Sequence, residues 1–347
     1  MKTYKVAVVG ATGMVGRKML QVLAERDFPV GELIPFASAK SAGSRIEYRG
    51  KKYTVVETNE ENINKYRPEI VIMSAGGKAS GIYSPMFAAA GGIVIDNSAY
   101  WRMDENVPLV VPEVNPEDAF NHPKGIIANP NCSTIQAMVA LNPLHKAFGI
   151  KRVIYTTFQA VSGAGVKGYA DLENGMKAAA EGTELPPLQK FPHPIAGNCI
   201  PEIDVLLDNG YYKEEQKMID ETHKIMHAPE IRVTATCVRV PVYYGHSESI
   251  NVEFEKPATP EQVREVLSKV PGIIVMDDPG NHVYPTALDA ADHDEVYVGR
   301  IRRDFTVESG INMWVVADNI RKGAATNAVQ IAQLLIAGEG KCPVHNA

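Results

Sequence analysis

The chain has 347 residues, 45% of them hydrophobic and 22% charged, with a formal net charge of −6. That length exceeds what one ordinary hydrophobic core needs, so two globular domains are expected. The acidic balance excludes a broad cationic surface for nucleic acid or an anionic membrane, and no apolar run approaches the ~18 residues that span a bilayer.

Residues 4–9 form a short valine-rich run, as expected of a parallel strand buried on both faces. The lysine and apolar stretch at the start superficially resemble a signal peptide, but Gly10, Gly13 and Gly16 punctuate the run and no cleavage region follows. Residues 15–26 then read as a helix with Met19, Leu20 and Leu23 on one face. Strands follow at 33–37, 70–74 and 93–96, with a helix over 84–90. Strand and helix in alternation predict a parallel sheet with helices on both faces, over the first 130 residues. Beyond Asn129 the strand-like segments, 152–160, 231–242 and 249–255, are longer and more polar, which suits a mixed sheet with one face packed on helices. Helices are expected at 168–182, 213–226 and 260–270. An amphipathic helix over 323–337, with Ala325, Val329, Ala332 and Ile336 at helical spacing, is expected to return to the first domain. The fold class is therefore α/β: a Rossmann-like dinucleotide-binding domain plus an α+β domain with a mixed sheet.

The loop Gly10-Ala11-Thr12-Gly13-Met14-Val15-Gly16 lies between the first strand and the first helix. Glycines there let the backbone turn tightly and approach a pyrophosphate, and the helix N-terminus offers unpaired N–H groups to the anion. The GxxGxxG spacing departs from the usual fingerprint, so the position between strand and helix carries the argument. The alternative is a tight turn with no ligand. NAD-binding folds carry an acid at the end of the second strand. Here that strand runs into residues 37–43, where Ser38, Lys40 and Ser41 would suit the extra phosphate of NADP.

Four cysteines, Cys132, Cys199, Cys237 and Cys342, are scattered without a CxxC pair, so neither a metal site nor a disulfide framework is expected, and a reducing, cytoplasmic setting fits. Cys132 stands out. Asn129-Pro130-Asn131 forms a polar turn running straight into a helix over 135–144. A thiol at a helix N-terminus is biased toward thiolate, the nucleophilic form. Arg239 and His246 flank a segment, 241–245, read as a strand turning at Gly245. His246 is a candidate general base, and Arg239 could grip a carboxylate with two parallel bonds. Gln159 ends another strand, before Ser162-Gly163-Ala164-Gly165, where small residues would admit a flat ring or a substrate. Glu214 and Lys217, three apart on a helix, have the plain alternative of an exposed ion pair.

Together these segments, with Asp318-Asn319-Ile320-Arg321-Lys322-Gly323-Ala324-Ala325, resemble the aspartate-semialdehyde dehydrogenase family over essentially the whole chain. The resemblance implies reversible, NADPH-dependent reduction of L-aspartyl 4-phosphate to L-aspartate 4-semialdehyde and phosphate through a cysteine thioester, on the way to lysine (through diaminopimelate), threonine and methionine. It implies Cys132 as nucleophile, His246 as acid/base partner, Gln159 to orient the acyl group, Arg239 for the substrate carboxylate and Glu214 for its ammonium. Arg102, Asn131 and Lys217 would hold phosphate; Gly10, Thr12, Gly13, Met14, Val15, Ser38, Lys40, Ser41, Ser162, Gly163 and Asn319 would contact NADP. It further implies a homodimer or homotetramer. The domains become an NADP-binding domain, 1–130 completed by a C-terminal helix 320–347, and a catalytic and dimerisation domain, 131–319.

Two alternatives stand beside this reading. A related phosphorylating acyl reductase would act on N-acetylglutamyl phosphate or glyceraldehyde phosphate, substrates with no ammonium group for Glu214 to meet. A non-catalytic NADP sensor would keep the nucleotide fold and lose members of the catalytic set.

Overall fold

The computed structural model describes residues 2–338. The chain divides into two units, residues 1–131 with the C-terminal stretch from 324, and residues 132–323. In β1 (Tyr4–Val9) only Lys5 is exposed, the burial expected of a strand covered on both faces. It is followed by α1 (Met14–Glu25), β2 (Val30–Ala37), a hairpin of β3 (Arg45–Tyr48) and β4 (Lys51–Thr54), β5 (Val56–Glu57), α2 (Glu60–Tyr66), β6 (Ile70–Met73), α3 (Gly77–Ala89), β7 (Ile93–Asp96) and β8 (Ile126–Ala128). Six of these strands pair in parallel in the order β5-β2-β1-β6-β7-β8. The chain leaves β1 toward β2 and later returns to its other side as β6. That reversal opens a crevice at the carboxyl end of β1, the place where such sheets bind ligands.

One face of this sheet presents Val6, Val8, Ile70, Ile72, Ile93 and Ile95 to Met19, Leu20 and Leu23 of α1. On the other, Phe36 meets Phe87 and Tyr66 edge to face, at centroid separations of 5.3 and 6.1 Å.

The second unit opens with α4 (Cys132–Phe148) and continues through β9 (Ile150–Gln159), α5 (Gly165–Glu181), α6 (Lys213–Met226), β10 (Arg232–Arg239), β11 (His246–Phe254), α7 (Pro260–Ser268), β12 (Ile273–Val275), α8 (Ala287–Ala290), β13 (Val296–Asp304) and β14 (Gly310–Ala317). Its sheet is mixed, in the order β10-β9-β11-β14-β13-β12, with the β9–β10 and β12–β13 pairs parallel and the others antiparallel. Helices α4, α6 and α7 cover one face. That face carries Tyr155, Thr157 and Gln159 from β9 and His246, Glu248, Ile250 and Val252 from β11, all buried. Helix α4 is buried almost all round, so it reads as a core helix rather than an amphipathic one. The last helix, α9 (Asn327–Ala337), belongs to the first unit and adds Ala328, Val329, Ile331, Ala332 and Leu335 to its core.

Several boundaries differ from the sequence reading. Residues 320–323, expected to open the C-terminal return, group with the second unit, and residues 339–347 of the expected helix, with Cys342, lie outside the described residues. A π-helical turn over Arg321–Thr326 precedes α9, which therefore begins at 327 rather than 323. Residues 241–245 are not a strand: β10 ends at Arg239 and β11 starts at His246, because Gly245 takes φ +86° and breaks the extended path. The hairpin β3–β4 and the strands β12, β13 and β14 add to the expected elements.

Glu248 sits at the centre of the second sheet, fully buried, and neither carboxylate oxygen has a partner among the described residues. Burial first, and the charge of Glu214 second, push its acid well above the ordinary carboxylate range. The folded chain therefore holds the proton on this group to higher pH than the unfolded chain does. Folding takes up a proton, so this contribution is full below the unfolded pKa and falls as pH rises toward the folded one. Glu248→Gln removes that dependence. Its melting temperature is expected to exceed wild type by an increment that grows from pH 5 to pH 8. An increment equal at both pH values would show that the folded carboxyl is not held protonated across that range.

Candidate active site

In the first unit the glycine loop has three distinct requirements. Gly10 has φ +83°, and a Cβ there would collide with the carbonyl of Ser74; a Cβ on Gly16 would collide with Gly10 itself. Both are glycine for the protein's own packing. A Cβ on Gly13 meets only Gly10 O, at 3.3 Å, and Gly13 is exposed. Gly13 caps α1 without any side-chain bond to the helix N-terminus. The N–H groups of the first helical turn, with Met14 and Val15, are therefore presented for an anion, and Thr12 O is held by Arg17 Nε at 3.1 Å. The cradle fits the pyrophosphate of a dinucleotide. Ser38 and Lys40 lie exposed in the turn after β2, where Ser41 N bonds to Ser38 O at 2.9 Å. The sequence reading missed a nearby acid: Glu57 of β5 pairs in register with Ala37, beside the end of β2. Nothing in its sequence separation from Ala37 announced that neighbour.

Arg102 and Asn131 are buried in the same unit. The Arg102 guanidinium donates from Nε to Asn129 O and from Nη2 to Asn97 O, both at 3.0 Å. Asn129 anchors the turn before α4. Its Nδ2 donates to Asn97 Oδ1 at 2.7 Å, its Oδ1 accepts from Asn327 Nδ2 at 2.7 Å, and its backbone N–H bonds to Asp96 O.

In the second unit Cys132 is the first residue of α4, half-buried at the positive end of the helix dipole. Its Sγ lies 3.1 Å from Nε2 of His246, which is wholly buried. The other ring nitrogen, Nδ1, accepts the backbone N–H of Ala160 at 3.0 Å. A neutral imidazole has one N–H, so this bond places the proton on Nε2, facing sulfur. An imidazolium would set one N–H against another. Burial, then the Arg239 charge, push His246 down to about 3, against the opposing pull of Glu214. In this arrangement His246 is a neutral ring that donates from Nε2. The sequence reading of it as the base for the thiol does not match this tautomer.

Around this pair the strand ends converge. Gln159 closes β9 and donates from Nε2 to Glu214 Oε1 at 3.0 Å, with the same nitrogen 3.5 Å from His246 Nε2. Two N–H donors therefore lie side by side near the sulfur. Arg239 closes β10, buried, with Nη1 donating to Ala160 O at 2.7 Å and its guanidinium over the Phe191 ring. A Cβ on Gly163 would stand 3.1 Å from Arg239 Nη1 and 3.2 Å from the His246 ring, so glycine keeps the space between them open. Glu214 and Lys217 are not the exposed pair of the plain alternative. Their side chains are 7% and 18% exposed, and Lys217 Nζ reaches Glu214 Oε2 at 3.0 Å and Asp204 Oδ2 at 2.8 Å. Those two carboxylates hold the ammonium well above the ordinary lysine range although burial opposes it.

Ser162 and Asn319 are also brought together. Asn319 Nδ2 donates to Ser162 Oγ at 3.0 Å, and Asn319 Oδ1 accepts the N–H of Gly245, the residue before His246. Asn319 thereby braces the entry to β11. Gly323 is a further constrained glycine: a Cβ there would come within 2.8 Å of Cys132 Cβ, so the π turn can rest on Cys132 only without a side chain. The buried Cys237 is pushed far up by desolvation first and is a poor nucleophile. No group of three or more metal-ligating side chains occurs among the described residues, and no helix there is long and apolar enough to cross a membrane.

With His246 held neutral, the thiolate of Cys132 gains no imidazolium partner. Alkylation of Cys132 by iodoacetamide, followed by peptide mapping because Cys199 is also exposed, is expected to accelerate in one step as pH rises through thiol ionisation. A rate that stays on a plateau below about pH 6 would instead reveal a thiolate–imidazolium pair.

Two family models match the chain: "Semialdehyde dehydrogenase, NAD binding domain" over residues 5–122 and "Semialdehyde dehydrogenase, dimerisation domain" over residues 141–322. The aspartate-semialdehyde dehydrogenase of Aquifex aeolicus is 59% identical over 334 residues, covering 96% of this chain and 98% of the relative. Among solved structures, aspartate semialdehyde dehydrogenase II of Vibrio cholerae, complexed with ASA, superposes with a TM-score of 0.93 at 48% identity, covering 97% of this chain and 99% of that one. The Candida albicans aspartate semialdehyde dehydrogenase with NADP superposes with a TM-score of 0.75 at 28% identity, covering 97% and 99%. A glycine cradle on a parallel sheet, a cysteine at a helix start with a buried histidine beside it, and full-length likeness to relatives of one name agree: the chain belongs to the aspartate-semialdehyde dehydrogenase family.

Proposed function

We propose that this chain catalyses the reversible NADPH-dependent reduction of L-aspartyl 4-phosphate to L-aspartate 4-semialdehyde and phosphate through a thioester on Cys132. The observation that carries the reading is the Cys132–His246 contact of 3.1 Å at the start of α4, with Gln159 beside it. Gly10, Thr12, Gly13, Met14 and Val15 would hold a dinucleotide, which when bound would supply the hydride for reduction of the thioester. NADP rather than NAD is favoured by Ser38, Lys40 and Ser41, and the Candida albicans relative with NADP supports it. Ser162, Gly163 and Asn319 are assigned to the same ligand on the family resemblance.

The chain's own residues divide the remaining work. The Cys132 thiolate attacks the acyl carbon, the bond from carbon to the phosphate oxygen breaks, and phosphate leaves. As negative charge develops on the acyl oxygen, His246 Nε2–H and the Gln159 amide N–H are placed to receive it. After reduction the carbon–sulfur bond breaks, freeing aldehyde and returning the thiolate. Arg239 is assigned to the substrate carboxylate and Glu214 to its ammonium, each on the opposite charge it carries. Lys217, Arg102 and Asn131 are assigned to phosphate for the charge or amide each carries. The acidic partner for an ammonium favours aspartyl phosphate over N-acetylglutamyl or glyceraldehyde phosphate, and the retained nucleophile speaks against a mere NADP sensor. The reaction is placed in the cytoplasm, in lysine, threonine and methionine biosynthesis.

The helix-free face of the second sheet carries Phe158, Ser247, Ser249 and Trp314, with the Phe158 and Trp314 rings 5.4 Å apart, around a cleft of about 510 Å³. The dimerisation-domain match covers this sheet, and we propose that the face pairs with a second copy in a homodimer, or in a homotetramer built from it. Trp314→Arg is expected to shift the protein to monomer by light scattering. Retention of the wild-type mass would place the interface elsewhere.

Phosphate-dependent NADP reduction with L-aspartate semialdehyde is expected for wild type and absent in Cys132→Ala, while NADP binding by fluorescence is retained. No turnover with this aldehyde in a folded, NADP-binding protein would sink the substrate assignment, and full activity of the variant would sink the thioester.

A further inference from the structure

The two donors proposed for the acyl oxygen are fixed by different means. His246 is held by a backbone N–H, whereas Gln159 is a carboxamide whose two ends are nearly alike in shape. Glu214 decides the sense of that amide: an ionised carboxylate only accepts, so the end facing Oε1 at 3.0 Å must be Nε2. Lys217 Nζ, on the other oxygen at 3.0 Å, keeps the carboxylate charged. Gln159 Oε1 then faces back along its own strand. There it accepts from Thr157 Oγ1 at 3.0 Å. Residues two apart on a strand share a face, which is why this contact forms without bending β9. Thr157 is wholly buried, in register with Cys237 on one side and Glu248 on the other. A hydroxyl in that place has a use beyond packing, since a valine fills the same volume.

We infer that Thr157 is a positioning residue for the proposed reaction: by holding Gln159 Oε1 it fixes the carboxamide in the orientation that directs Nε2–H to the reacting acyl oxygen. This rests on the reading of Gln159 given above. Without the hydroxyl, Gln159 Oε1 is left buried with no donor, and the side chain relieves that by rotating about its last torsions. The Nε2 group then leaves its place beside His246. A displacement of this size at the reacting centre lowers turnover by about 10- to 100-fold, while substrate binding through Arg239 is little changed.

The test compares Thr157→Val, Thr157→Ser, Gln159→Ala and the double variant Thr157→Val/Gln159→Ala in the phosphate-dependent assay with L-aspartate semialdehyde. The side-chain amide signals of Gln159 are followed in protein carrying 15N-glutamine, assigned by their loss in Gln159→Ala. Thr157→Val is expected to lower kcat by about 10- to 100-fold at nearly constant KM, and Thr157→Ser to recover most of it. In the Gln159→Ala background the valine should cost nothing more, because the two residues act as one unit. The Gln159 amide signals should move in the valine variant and stay in the serine variant. Wild-type kcat in Thr157→Val, an undiminished valine effect without Gln159, or unmoved amide signals would each overturn the inference. Should wild type itself fail to turn over, the substrate assignment falls, and the amide signals still decide the role of Thr157.

Discussion

A backbone N–H has no choice of partner: it can only donate. At Ala160 that property reaches into the chemistry, because the N–H lies 3.0 Å from Nδ1 of His246 and compels the ring to carry its proton on the opposite nitrogen. Every other feature of the second unit's site is arranged around the result. Gly245, with φ +86°, brings the chain round so that His246 can open β11 beside Gln159 at the end of β9. Gly163 leaves room for the ring beside Arg239, and Gly323 lets the π turn lie on Cys132. A donor aimed at sulfur is useful when charge must come and go from sulfur and oxygen without the ring changing its own protonation.

Burying so many polar groups is costly unless each is answered. The structure answers them in series. Asp204 and Glu214 share Lys217, Glu214 takes the Gln159 amide, and Gln159 takes the Thr157 hydroxyl. The chain runs from a partly exposed aspartate to the floor of the sheet, so charge sits at the outer end and neutral dipoles at the inner end. Within this series the carboxylates and ammonium pair with one another at one end, while neutral dipoles complete the series at the other.

The sequence disclosed the parts of this design that use special residues. A glycine loop between strand and helix, an Asn-Pro-Asn turn before Cys132, and strands ending in Gln159 and Arg239 were legible because those residue types are unusual in those places. Thr157 was not, since a threonine in a strand is what any strand contains. Glu248 was hidden because glutamate is seldom fully buried and the strand was expected to begin only at 249, one residue after it. Strand β13 escaped because its register shifts between Gly299 and Arg302 and Arg300 takes φ +53°, which breaks the two-residue period. Glu57 beside Ala37 depends on a long-range pairing that no local pattern records. The mixed roles of Asn319, bonded to both Gly245 and Ser162, belong to the same class.

The buried acid Glu248 on β11 has one more consequence. A carboxylic acid with no hydrogen-bond partner has a carbonyl stretch that stands clear of the amide backbone in the infrared and shifts with the local electric field. Glu248 lies two residues behind His246 on the same face of the sheet, enclosed on all sides. The protein therefore contains its own vibrational probe, able to register the gain or loss of charge on the Cys132 side of the sheet without any label.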